Sequence, residues 1–297
     1  MIELPTAVRA MSGRGPDWAQ WIETLPAWTQ HQLDEWELRV DGAPTHGTTS
    51  LVLPVLTPRG RSAVLKLGFP DDESEHEHLA LRRWAGHGAV RLLSAQPHRR
   101  ALLLERLHAR DLTTVSDVEA CTVVSRLYQR IHVPALPQLR SLTMWLESRV
   151  AELSELPRNT PVPRRLVEQA LTLARDLMSR PAPDAVVLHT DLHYENVLAA
   201  DTEPWLVIDP KPLSGDPHFE IAPMLWNRWD ELTGDVRDGV RRRFYTLVDA
   251  ARFDEDRARA WVIVRVVHNA VWELSRATRP DPGWLTVCVA VAKAVQD

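Results

Sequence analysis

The spacing of apolar and polar residues divides the chain into two stretches of different texture. Between residues 16 and 36, Trp18, Trp21, Ile22 and Leu25 recur at helical intervals. The pattern predicts an amphipathic helix that Asp17 caps and Pro26 interrupts, with its tryptophans packed into a core. Short apolar runs follow at 37–40, 49–55 and 62–67, separated by D-G-A-P-T-H-G and T-P-R-G. Turn residues at such short intervals predict an antiparallel meander. A helical segment at 71–84 and two further strands, 90–93 and 101–104 around the hairpin Q-P-H-R-R, complete this part.

Beyond residue 107 the period changes to 3.6. Helices are predicted at 117–132, 142–156, 164–179, 236–251, 254–278 and 283–295, the middle one of the last three carrying an apolar face of Trp261, Val264, Val267, His268, Val271 and Leu274. The proline-rich stretch 156–163 reads as a surface loop between helices, and R-P-A-P-D at 180–184 as the approach to a strand. The polar stretch after Glu105, Arg106 and Leu107 marks the boundary between residues 1–107 and 108–297. The expected fold class is therefore α+β, with a small antiparallel-sheet lobe followed by a larger helical one.

Composition narrows the function. The 297 residues are 44% hydrophobic and 25% charged, with a formal net charge of −5. That balance argues against non-specific nucleic-acid binding and suits a cationic partner. Two cysteines, Cys121 and Cys288, both lie in apolar helical patterns, which predicts core positions and a reducing, cytoplasmic setting. The first 16 residues hold no apolar signal core, and no run is long enough to span a membrane. Of 35 basic residues only Lys66, Lys211 and Lys293 are lysines.

The candidate chemistry concentrates between Val186 and Pro212, V-V-L-H-T-D-L-H-Y-E-N-V-L-A-A-D-T-E-P-W-L-V-I-D-P-K-P. Short buried strands end in Asp191, Asn196 and Asp209. One carboxylate can orient a hydroxyl nucleophile, while an amide oxygen and a second carboxylate are hard ligands for a Mg²⁺ ion carrying polyphosphate. Lys66, in the apolar strand A-V-L-K-L, requires an anionic partner, either phosphate or a carboxylate. Glu77 is spaced to reach it, with Glu73 and Glu75 as competitors. Gly42 and Gly47 could lay backbone N–H groups over phosphates, although a plain hairpin turn explains them equally. H-x-D-x-H at 189–193 also suits a metallohydrolase, a reading that leaves Lys66, Glu77 and Asn196 without a task.

H-T-D-L-H-Y-E-N-V-L followed by I-D-P resembles the catalytic and metal loops of the aminoglycoside phosphotransferase family, within the protein-kinase-like superfamily. The continuation I-D-P-K-P-L-S-G-D-P-x-F-E is most similar to the branch of streptomycin 6-phosphotransferases and hydroxyurea kinases. The resemblance implies a bilobal protein-kinase-like fold, ATP or GTP with Mg²⁺, and transfer of the γ-phosphoryl group to a substrate hydroxyl. It implies Asp191 as catalytic base, Asn196 and Asp209 as Mg²⁺ ligands, and Lys66 on the α and β phosphates with Glu77 holding it. His189 would brace the loop, and the backbone of Glu105 and Leu107 would meet the nucleotide base. His193, Glu220, Trp226, Asp230, Glu231 and Glu273 are the candidates for a cationic, sugar-like acceptor. Thr190, Pro210 and Lys211 stand where protein kinases carry Arg, Phe and Gly, which disfavours a protein substrate. A nucleotide-binding module without turnover is the alternative of a different class, against which the full set of polar residues argues.

Overall fold

The computed structural model describes residues 2–157, 160–179, 184–276 and 279–296. Residues 158–159 of the predicted loop, 180–183 of the predicted strand approach and the end of the helix predicted to 278 lie outside them. The chain divides into two compact units, Met1–His108 and Ala109–Asp297.

The first unit is a helix-backed sheet. Strands β1 (Arg39–Val40), β2 (Thr45–His46), β3 (Ser50–Leu56), β4 (Ser62–Gly68), β5 (Leu92–Gln96) and β6 (Ala101–Glu105) pair antiparallel in the order β1-β3-β4-β6-β5, with β2 also on β3. β1 and β2 are one interrupted partner of β3: Arg39 and Val40 face Leu56 and Val55, and Thr45 and His46 face Val52 and Leu51. The stretch read as one turn, D-G-A-P-T-H-G, therefore contains an irregular break at 41–44 and a short strand. The reversal itself falls at Gly47–Thr49, where the Gly47 N–H donates to Ser50 O at 3.0 Å. The register puts Lys66 opposite Val52 on one side and Leu102 on the other.

Two helices precede the sheet, α1 (Thr6–Ala10) and α2 (Pro16–Glu35). Contrary to the pattern-based expectation, Pro26 lies inside α2 without ending it, and the N-cap is Gly15 with Pro16 in the first turn, not Asp17. An internal proline removes one helical hydrogen bond and costs about 3 kcal/mol. Burial outweighs it: Trp21, Leu25 and Leu33 join Leu51, Leu53, Leu65, Leu67 and Leu103 in one core, with Trp18, Trp28 and Trp36 packed on its margin. Trp18 also stacks on Phe69, ring centres 3.8 Å apart. The tryptophans are thus structural. Helix α3 (Glu77–Trp84) begins later than the acidic run 71–75 suggested, because Asp71 accepts from the Ser74 N–H and holds that run in a turn.

The second unit is mainly helical. Helices α4 (Asp117–Ile131), α5 (Leu142–Ser154), α6 (Arg164–Ser179), α7 (Ala222–Trp226), α8 (Val236–Ala251), α9 (Glu255–Arg276) and α10 (Pro282–Ala294) enclose short strands. Ser116 and Ser141 cap α4 and α5 through their hydroxyls. Strand β7 (Val186–Leu188) pairs with β10 (Leu213–Gly215), and β8 (Val197–Leu198) with β9 (Leu206–Val207). β10 falls in L-S-G-D-P-H-F-E, a stretch for which the sequence pattern predicts no strand. Gly215 is required there, since a Cβ would meet Leu188 at 2.5 Å and Leu142 at 2.7 Å. Leu188 and Leu213 reach the core formed by α5, α6 and α9 with Leu146, Ala174, Trp261 and Val264. The loops after β7 and β9 are thereby anchored to a packed interior. Both cysteines are buried and free, and burial pushes their thiols up to about 12, which keeps them unreactive.

Candidate active site

Within the first unit, Lys66 finds its counter-charge. Nζ donates to both Glu77 carboxylate oxygens at 2.7 Å, and the two side chains are only 10% and 5% exposed. Of the three carboxylates the sequence left in competition, Glu77 is the partner; Glu75 lies 3.9 Å from Arg100 instead. Bidentate contact on a strand–helix pair fixes the ammonium at a defined point, which is what a phosphate contact requires. At the end of β6, the Glu105 carboxylate accepts from the Arg91 N–H at 2.7 Å, so its side chain is committed to the sheet. The Glu105 N–H is used in the sheet as well, donating to Arg91 O at 3.0 Å.

Within the second unit, β7 delivers His189, Thr190 and Asp191. His189 is fully buried. Its Nε2 donates to Ile208 O at 2.8 Å and its Nδ1 accepts from the Asp191 N–H at 3.3 Å. That pattern requires the neutral ring, and burial pushes its basicity down despite nearby carboxylates. With both nitrogens spent, His189 does not ligate a metal. The described residues contain no group of three His, Cys, Asp or Glu side chains able to hold one, so H-x-D-x-H is not a metallohydrolase centre.

Asn196 closes the turn. Its Nδ2 donates to Asp191 O at 2.8 Å and lies 3.1 Å from His193 Nε2. Because Asp191 O can only accept, the atom bonded to it is the amide nitrogen, and Oδ1 is the other branch of the amide. His193, 15% exposed, accordingly orients Asn196. Among the described residues the Asp191 carboxylate accepts no hydrogen bond, although its backbone is tied at both ends. A half-buried carboxylate held in this way can take a proton from an incoming hydroxyl.

Two residues of this loop region have left-handed backbones, Thr190 (φ 63°) and Asp209 (φ 56°). A β-branched residue rarely adopts that conformation, and the cost is of order 1–3 kcal/mol each. The surroundings impose it. Glu220, fully buried, accepts from the N–H groups of His189 and of Thr190, the latter at 3.1 Å. Thr190 Oγ1 donates to Lys211 O at 2.6 Å. Arg265 donates to Thr190 O and, at 3.0 Å, to Phe219 O. Burial alone would raise the Glu220 carboxyl, but His132 at 3.7 Å, His189 and the donated N–H groups outweigh it and hold the group below the usual carboxylate range. Asp209 ends the β9 side, with Ile208 N–H donating to Asn196 O at 2.9 Å and Lys211 Nζ 3.1 Å from Asp209 Oδ1.

The acceptor candidates fare unevenly. Glu220 does not face a ligand: it is a buried clamp on the backbone of His189 and Thr190, and this corrects the expectation from sequence. Glu231 is ion-paired with Arg228 at 2.6 Å, and Glu273 accepts from the Asp281 N–H at 2.8 Å. Trp226 is half-buried, with Arg265 over its ring and Trp284 against its edge. Asp230 is exposed. The sequence reading missed Arg265 and His132. Arg265 had a signal, as the one charge within V-I-V-R-V-V on an apolar helix; His132 had none.

Comparison with known proteins agrees with this geometry. The family described as "Aminoglycoside/hydroxyurea antibiotic resistance kinase" matches residues 35–276. A streptomycin 6-kinase of Streptomyces glaucescens is 40% identical over 98% of this chain and 97% of its own. A hydroxyurea phosphotransferase of Kitasatospora aureofaciens is 39% identical, over 92% of this chain and 81% of its own. Among solved structures, choline kinase LicA from Streptococcus pneumoniae superposes with a TM-score of 0.63 at 13% identity, covering 92% of this chain and 99% of that one, a likeness of fold. With a neutral histidine and a carboxylate that accepts no hydrogen bond among the described residues, set on this α+β protein-kinase-like scaffold, the chain belongs to the aminoglycoside/hydroxyurea antibiotic resistance kinase family and is a nucleotide-using phosphotransferase.

Proposed function

We propose that the protein transfers the γ-phosphoryl group of ATP, or of GTP, to a hydroxyl of a streptomycin-like aminoglycoside and so inactivates it. The observation that carries the reading is the Asp191 turn: a carboxylate that accepts no hydrogen bond among the described residues, fixed at its backbone by His189 and Asn196. Asp191 accepts the proton of the acceptor hydroxyl while that oxygen bonds to the γ-phosphorus, and the bond from phosphorus to the β-bridging oxygen breaks with its electron pair leaving on the nucleoside diphosphate. Lys66, held by Glu77, binds the α and β phosphates, and the backbone of Glu105 and Leu107 meets the base.

The residues fit Mg²⁺. Asn196 offers Oδ1 because its nitrogen is committed to Asp191 O, and Asp209 adds a carboxylate, both hard oxygen donors. Bound there, the ion would neutralise phosphate charge and orient the leaving group.

The relatives support the acceptor more than the electrostatics do. With Glu220 inside the loop and Glu231 paired to Arg228, the argument for a cation rests on Asp230, the net charge of −5 and the 40% identical streptomycin kinase. The same withdrawal of acids favours a second reading, a small neutral acceptor such as hydroxyurea, in line with the 39% identical phosphotransferase. A nucleotide-consumption screen of the purified protein against streptomycin, other aminoglycosides, hydroxyurea and amino alcohols, with mass detection of the phosphorylated product, decides between them. Turnover of streptomycin supports the first reading; turnover of hydroxyurea alone replaces it with the second; no turnover with any acceptor removes both.

A further inference from the structure

Lys211 is a lysine in a chain that otherwise uses arginine almost throughout, with three lysines among 35 basic residues. Lys293 is exposed on α10. The other two each sit against a carboxylate: Lys66 on Glu77, and Lys211 on Asp209, with Nζ 3.1 Å from Oδ1 and the Lys211 side chain only 13% exposed. The Lys211 backbone is clamped on both sides. Its N–H donates to His189 O at 2.9 Å, its carbonyl accepts from Thr190 Oγ1 at 2.6 Å, and Pro210 and Pro212 flank it. The backbone therefore cannot follow the side chain if the ammonium changes partner. A four-carbon stem ending in a point charge can change partner, whereas a guanidinium fork is committed to one planar geometry.

Asp209 is also the carboxylate that suits Mg²⁺, and an ammonium and a divalent cation compete for the same oxygen. We propose that Lys211 is a mobile counter-ion: it neutralises Asp209 while the metal is absent and moves to a γ-phosphoryl oxygen when the metal–nucleotide complex is bound. This rests on the phosphotransferase reading above and adds a residue to it. In the transfer the ammonium keeps its proton throughout. It stabilises negative charge on the γ-phosphoryl oxygens while the acceptor oxygen–phosphorus bond forms, the bond to the β-bridging oxygen breaks, and Asp191 takes the hydroxyl proton. Removing one donor aimed at charge that develops in the transition state typically costs about 10²–10³ in rate.

Lys211→Met keeps the stem and removes the charge, and Lys211→Arg keeps the charge and removes the mobility. The first readout is Mn²⁺ binding to the nucleotide-free protein, followed by electron paramagnetic resonance; the second is kcat and nucleotide KM with saturating acceptor. The proposal expects Lys211→Met to bind Mn²⁺ several-fold more tightly than the unmodified protein, because a competitor is gone, yet to turn over about 10²-fold more slowly with little change in nucleotide KM. Lys211→Arg should recover only part of kcat. A purely structural role would weaken metal binding and turnover together, and that result, established on variants with unchanged circular dichroism, overturns the proposal. Unchanged Mn²⁺ affinity overturns the competition, and unchanged kcat overturns the catalytic contact. Absence of turnover in the unmodified protein would instead remove the underlying function while leaving the Mn²⁺ comparison intact.

Discussion

Glu220→Gln separates two roles that the sequence alone could not tell apart. In the folded protein both carboxylate oxygens are used, one by the His189 N–H and one by the Thr190 N–H, in a fully buried position. Glutamine supplies one acceptor and sets an NH₂ against the other N–H. An unsatisfied buried donor costs about 1–3 kcal/mol, and losing the charge on the remaining bond costs about 1 kcal/mol more. Relief of a buried negative charge, 3.7 Å from His132 Nε2, offsets part of this. A net loss of roughly 2 kcal/mol follows, which for a unit of this size lowers Tm by about 4–8 °C. Thr190 is held at φ 63° partly by this clamp, so Asp191 shifts when the clamp is weakened, and a displacement of about 1 Å costs on the order of 10² in rate. Thermal melting followed by tryptophan fluorescence, together with kcat and acceptor KM, provides the assay. The reasoning is refuted if Tm stays fixed while acceptor KM rises tenfold, because that is the signature of a ligand-facing carboxylate.

Lys66→Met should abolish turnover and weaken nucleotide binding in a titration while Glu77, left buried without its cation, lowers stability by about 3–5 kcal/mol; wild-type nucleotide affinity would exclude Lys66 from the site. Asp191→Asn should lower kcat by about 10²–10⁴ with nucleotide affinity nearly unchanged, as a base without a binding role does, and an equal loss in both quantities would assign it to binding instead. Asp209→Ala should lose metal-dependent nucleotide binding, checked by calorimetry with and without Mg²⁺; binding that is unaffected by the ion in both proteins would exclude Asp209 as a ligand. His268 is 5% exposed with Nδ1 unpartnered, and burial, with Arg149 and Arg265 nearby, pushes its basicity down to about 3. The unfolded chain therefore binds the proton first: this histidine leaves stability unaffected above about pH 6.5 and lowers it as pH falls, by about 2 kcal/mol between pH 7 and pH 5. His268→Leu should flatten the denaturation profile by that amount over the same window, and an equal pH slope in both proteins would contradict the buried neutral ring.

What the sequence determined by itself was local. Period-2 runs between turn residues gave the meander, and 3.6-residue periods gave the helices, because each element exposes one face to a core and the side chains record which. The spacing of Asp191, Asn196 and Asp209 was legible for a related reason: short buried strands cannot carry polar residues except at their ends. Tertiary structure decided what depends on partners distant in the chain. Pro26 stays inside α2 because burial of Trp21, Leu25 and Leu33 against the sheet outweighs one missing hydrogen bond. Strand β10 exists because Gly215 lets it approach β7 and α5. Glu220 reads in D-P-H-F-E as a candidate for contact with a cationic acceptor, yet it lies inside the protein, where it accepts from two backbone N–H groups 30 and 31 positions earlier. Nothing in the local sequence carries that information, since a carboxylate's surroundings are set by which backbone groups the fold brings to it.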